Sequence, residues 1–173
     1  NRDGSDIQML FQAEGIGYPS FSHDGQRVLF HWHRDGESFI YSVDAVPGAE
    51  PQLIPLFPSN PDDATLHAEP APSPDGRTLA FIVSRPSRYG TRNVSHLFLA
   101  GMDGSNIRLI AGEIGTHDRP AWSSDGSRLA FYSRRQDGEG IYVADSEGQN
   151  QTLLSVEWVI DWSPTWSPDN EWV

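Results

Sequence analysis

The chain has 173 residues, 37% hydrophobic and 11% aromatic, enough for a compact core at the usual size of one domain. Its net charge of −12 opposes phosphate backbones and anionic lipid, which argues against nucleic acid or a membrane surface as the main partner. With no cysteine there is no disulfide framework, thiol catalysis or Cys-ligated zinc, and no apolar run approaches the roughly 20 residues that cross a bilayer.

Taken in chain order, Asn1 to Asp6 has no cationic segment leading into an apolar one, so no signal peptide is legible there. Asp3-Gly4-Ser5-Asp6 reads as a turn that enters a short strand ending at Leu10. Next comes Tyr18-Pro19-Ser20-Phe21-Ser22-His23-Asp24-Gly25, followed by the apolar strand Arg27 to Phe30 and a further strand, Ser38 to Val43. The same order returns with Glu69-Pro70-Ala71-Pro72-Ser73-Pro74-Asp75-Gly76, strands at Arg77 to Val83 and His96 to Ala100, the turn Met102 to Asn106 and a strand at Ile107 to Ile110. It returns again with Arg119-Pro120-Ala121-Trp122-Ser123-Ser124-Asp125-Gly126, strands at Arg128 to Tyr132 and Gly140 to Ala144, the turn Asp145 to Asn150 and a strand at Gln151 to Leu154. A fourth copy opens at Ser163-Pro164-Thr165-Trp166-Ser167-Pro168-Asp169-Asn170, and no segment has a convincing helical period.

The aspartates of the four copies are 51, 50 and 44 residues apart. Ser-x-Asp-Gly suits a type I turn, since serine bonds the backbone from the first position and glycine is favoured at the fourth. The near-continuous apolar runs after it mark strands covered on both faces, so sheet must stack on sheet. Four short antiparallel strands repeating at this period predict an all-β chain of β-propeller blades. The expected division is the end of one blade over 1–14, whole blades over 15–66, 67–116 and 117–160, and the start of a further blade over 161–173. Three whole blades leave an incomplete ring, so the expectation is a fragment of a longer chain, or self-association through the partial end blades.

The wording Pro-x-Trp-Ser-Pro-Asp-Gly, an apolar strand, Ile-Tyr-Val-x-Asp and a Gly-Ser-Asn turn resembles the WD-like repeat of TolB-type propellers over nearly the whole chain. Pro72 stands where tryptophan is usual and Asn170 where glycine is usual. The resemblance implies a binding or scaffold module with a protein partner, periplasmic or secreted. Similar repeats form the gating domain of prolyl-oligopeptidase-like peptidases and the propeller of oligogalacturonate lyases, which are the alternative readings. No catalytic constellation is legible: there is no Gly-x-Ser-x-Gly elbow, and no Ser, His and Asp group together by spacing.

In a four-stranded meander the turns alternate between two ends. The Ser-x-Asp-Gly and Asp-Gly-Ser-Asn turns share one face, while the loops between second and third strands and the connections between blades share the other. The second face varies between repeats, so function is expected there. It is assigned Arg34, Arg85, Arg88, Arg92, Arg119, Arg134 and Arg135. The binding candidates are Arg85, Arg88, Tyr89 and Arg92 in one long loop with Arg134 and Arg135, against the plainer reading of solvated charge paired with neighbouring acids. His67 and His117 lie three residues before Pro70 and Pro120, and Asp161 three before Pro164, so they are a candidate N,N,O set for a channel metal ion, set against a turn-stabilising hydrogen bond. His31 and His33 share a strand face and are a weaker candidate pair. Otherwise no cofactor is expected.

Overall fold

The structure is a computed structural model and describes residues 9–34, 37–57, 66–86, 93–112, 116–135, 138–155 and 163–173. The described residues form three four-stranded antiparallel meanders and no helix. The first contains β1 (Ile16–Phe21), β2 (Arg27–Arg34), β3 (Glu37–Asp44) and β4 (Gln52–Leu53). The second contains β5 (Leu66–Pro72), β6 (Thr78–Pro86), β7 (Asn93–Gly101) and β8 (Arg108–Ala111), and the third β9 (Thr116–Trp122), β10 (Arg128–Arg135), β11 (Gly138–Asp145) and β12 (Thr152–Ser155). A single parallel bridge, Ser38 to Leu66, links the first two sheets. Of the expected strand ending at Leu10, the part up to residue 8 lies outside the described residues, and Met9 and Leu10 join no ladder. Residues 163–173 repeat the turn of the other copies without joining a ladder.

Each Ser-x-Asp-Gly turn closes in the same way. The N–H of Gly25, Gly76 or Gly126 donates to the carbonyl of Ser22, Ser73 or Ser123 at 2.8 to 2.9 Å, and Asn170 does the same to Ser167. The serine hydroxyl donates to the aspartate, at 2.6 Å in both Ser73 and Ser123, and accepts the N–H five residues on, from Thr78 and Arg128 at 2.9 Å. Asn170 holds φ at 61°, which asparagine tolerates, and its Oδ1 accepts the N–H and hydroxyl of Ser124 at 2.7 and 2.8 Å. The replacement of glycine thus ties one turn to the turn of the preceding blade.

The apolar runs meet between blades, as two-sided burial requires. Leu29 and Ile40 of the first blade pack with Leu79, Phe81 and Val83 of the second, and Ile82, Leu97 and Leu99 of the second with Leu129 and Phe131 of the third. Trp122 and Trp166 stitch the joints from the inner side: their indole N–H groups donate to the carbonyls of Ala71 and Ala121 at 3.0 and 2.9 Å. Pro72, at the tryptophan position, has no N–H to supply such a bond. Gly104 meets the first blade so closely, at φ 83°, that a Cβ on it would lie 2.3 Å from the Pro55 carbonyl oxygen.

β5 lies beside both β1 and β9, so these first strands are the inner ones. Each carries a bulge: the ladder to the second strand slips between Gly17 and Ser20, between Ala68 and Ala71, and opposite the step from Ala130 to Tyr132. The residue before the proline is left-handed in all three, with φ 50° at Tyr18, 54° at Glu69 and 55° at Arg119. Side chains with a Cβ seldom adopt this conformation, and it persists only where surrounding structure imposes it.

Candidate functional site

The β2–β3, β6–β7 and β10–β11 hairpins end on the face opposite the Ser-x-Asp-Gly turns, as the meander order requires. Arg34, Arg85 and Arg134 are exposed at those hairpin ends. Arg34 lies over the Trp32 ring at 4.7 Å, and Arg134 pairs with Glu139 at 2.8 Å across its own hairpin. Arg135 is part-buried: it donates to Ser133 Oγ at 2.7 Å and Gln151 Oε1 at 2.6 Å and stacks on Tyr142 at 4.1 Å, which ties β10 to β11 and to the residue before β12. Arg88, Tyr89 and Arg92 lie outside the described residues.

Among the histidines, His117 is fully buried, with Nδ1 2.9 Å from the hydroxyl of Ser133. The Ser95 hydroxyl accepts its N–H at 2.7 Å and donates to its carbonyl at 2.9 Å, joining the second blade to the third. Asp161 and the side chain of His67 lie outside the described residues. No group of three His, Asp or Glu placed to hold a metal ion occurs among the described residues. His31 packs on Gly17 and 5.1 Å from the Tyr18 ring, with Nδ1 buried and lacking a hydrogen-bond partner among the described residues; burial, then the nearby His33, lowers its pKa.

A second constellation was not anticipated from sequence. Tyr18, Glu69, Arg119 and Ser163 hold the same place in the four copies, immediately before the proline, and with the prolines after the first three they line a cavity of about 250 Å³ at the inner strands. Arg119 therefore belongs to this cavity and not to the variable-loop face, because the bulge in β9 sets it within the inner strand. Glu69 Oε2 accepts the backbone N–H of Arg119 at 2.5 Å, and the Arg119 guanidinium donates to Ser163 Oγ, so the second blade holds the third and the third holds the residue beyond. Burial, with the neighbouring Asp118 also contributing, raises the pKa of Glu69; burial likewise raises that of Asp118. The legible signal was a position whose neighbours stay constant while its own chemistry runs through phenol, carboxylate, guanidinium and hydroxyl.

Stacked four-stranded meanders with a lined inner cavity and a varied loop face define a segment of a β-propeller. The model of the TolB beta propeller domain matches residues 62–173, and the chain belongs to that family. A TolB homolog of Chlorobium chlorochromatii is 30% identical over 152 residues, which are 84% of this chain and 30% of that protein. Dipeptidyl-peptidase 5 of Porphyromonas gingivalis is 38% identical over 66 residues, 38% of this chain and 10% of that one, so the chain spans under a third of either. The solved structure of a putative TolB from Agrobacterium tumefaciens superposes with a TM-score of 0.69 at 22% identity, over 93% of this chain and 57% of that one, a likeness of fold.

Proposed function

We propose that this segment is the binding part of a TolB-like propeller that engages a protein partner through the hairpin face, in the bacterial periplasm. The observation that carries the reading is the exposure of Arg34, Arg85 and Arg134 at the ends of successive hairpins in a chain whose net charge is −12. Guanidinium groups recognise carboxylates bidentately, and arginine is enriched among interface residues whose truncation is costly. By sequence the same face takes in Arg88, Tyr89 and Arg92, between β6 and β7, and Arg135 fixes the hairpin that presents Arg134. The family and the TolB homolog support the protein-binding reading. His67, His117 and Asp161 remain a proposed channel metal set, with the bonded state of His117 favouring its structural role. A metal-induced rise in melting temperature lost in His117→Ala would reverse that preference.

The test is capture of partners from periplasmic extract, followed by affinity measurement on the captured protein. Arg85→Ala with Arg88→Ala and Arg92→Ala should weaken binding by about tenfold or more at unchanged melting temperature. Asp75→Ala should lower the melting temperature and leave affinity per folded molecule unchanged. The opposite pattern places the partner on the turn face. A second reading, the propeller portion of a peptidase, is favoured by the 38% identity to dipeptidyl-peptidase 5, and a hydrolase domain in the flanking gene sequence would select it.

A further inference from the structure

The inner cavity holds two opposite charges on neighbouring blades that attract each other only from a distance. Glu69 and Arg119 form no ion pair: the carboxylate takes the Arg119 backbone N–H through Oε2, and the guanidinium reaches away to Ser163. Glu69 Oε1 accepts no hydrogen bond from a described residue, and a guanidinium carries five donors, of which one bond to Ser163 uses one. The Tyr18 ring, 49% exposed, stands at the same wall, and ring faces attract ammonium groups. Three successive bulges hold these side chains in a conformation they would not adopt unaided. A charge pair of this kind, separated by fixed backbone, is complementary to a ligand that carries both signs at short separation.

We propose that the cavity lined by Tyr18, Glu69, Arg119 and Ser163 binds a small zwitterion of the amino-acid or dipeptide class. The ligand's ammonium group sits against Glu69 and the Tyr18 ring, and its carboxylate against Arg119 and Ser163. An open pocket of about 250 Å³ has room for a molecule of that size. The site is separate from the hairpin face and does not depend on the protein-binding reading.

The probe is alanyl-alanine, titrated calorimetrically into the whole chain beside N-acetyl-alanyl-alanine, which lacks the ammonium, alanyl-alaninamide, which lacks the carboxylate, and galacturonate, an anionic sugar. Alanyl-alanine should bind, and each blocked analogue should bind about tenfold more weakly or worse, the expected consequence of losing one charge-assisted hydrogen bond. Glu69→Gln keeps an acceptor for the Arg119 N–H and should abolish the discrimination against the acetylated probe alone. Arg119→Gln should abolish the discrimination against the amide alone. Melting temperatures measured on both variants separate loss of recognition from loss of fold. Equal binding of the blocked analogues, tighter binding of galacturonate, or no binding of alanyl-alanine at about 10 mM overturns the proposal.

Discussion

The turn face and the inner cavity are built on the same repeat, yet they treat their carboxylates in opposite ways. In the turns the serine hydroxyl, then a backbone N–H, hold Asp24, Asp75, Asp125 and Asp169 below the ordinary carboxylate range, Asp125 to about 2. At the inner strands, burial lifts Glu69, which lines the cavity, and its neighbour Asp118 above it. The turns repeat both backbone and side chains, so their charges serve the backbone. The bulges repeat only the backbone and vary the side chain, so beyond the bond of Glu69 to the Arg119 N–H and of Arg119 to Ser163 their charged groups are available to something else. Constancy of chemistry marks scaffold, and constancy of conformation under varied chemistry marks a site.

The largest expected effect tests the scaffold half. Gly104→Ala should cost at least about 2 kcal/mol in urea unfolding, because a left-handed alanine is strained and its Cβ meets the Pro55 carbonyl. A cost near zero would show that the second turn is not held against the neighbouring blade.

A smaller effect separates the two kinds of carboxylate by pH. A depressed pKa stabilises the fold above the unfolded value and loses that contribution as pH falls through the folded one, so Asp125→Asn should be destabilising at neutral pH and become neutral as pH falls towards about 2. A raised pKa has the opposite sign: the protonated form favours the fold, and the contribution disappears as pH rises through a value above the ordinary glutamate range. Glu69→Gln should therefore gain stability relative to the parent as pH rises through that window. Melting curves of the two variants against the parent across pH check both, and parallel profiles would erase the distinction.

The scaffold was legible because its chemistry is local. Serine, aspartate and glycine at fixed offsets dictate a turn whatever surrounds it, and an apolar run dictates burial on both faces. The bulges were not legible, since Tyr18, Glu69 and Arg119 share no side-chain property that signals a positive φ, and a residue before proline is usually extended. The sequence counts Arg119 with the connection between blades and so places it on the loop face, whereas it lies within the inner strand β9 beside the slip in the ladder. Arg135 was opaque for another reason: its partner Gln151 is sixteen residues away and is brought near only by pairing of β11 with β12. The loop holding Arg88, Tyr89 and Arg92 lies outside the described residues, so its part in the hairpin face rests on sequence.

The division between scaffold and site is tested most directly by the melting temperatures of Ser123→Ala and Tyr18→Gly, measured side by side. Ser123 is fully buried and its hydroxyl serves both Asp125 and Arg128, so its loss should cost about 1–3 kcal/mol, a fall of several degrees for a chain of this size. Tyr18 is half-exposed at φ 50°, where glycine relieves strain about as much as it adds backbone freedom, so the second variant should stay within about 1 kcal/mol of the parent. A stable Ser123→Ala beside a Tyr18→Gly that melts several degrees lower would contradict the account, because the constant turn would then be dispensable and the varied bulge would be holding the fold.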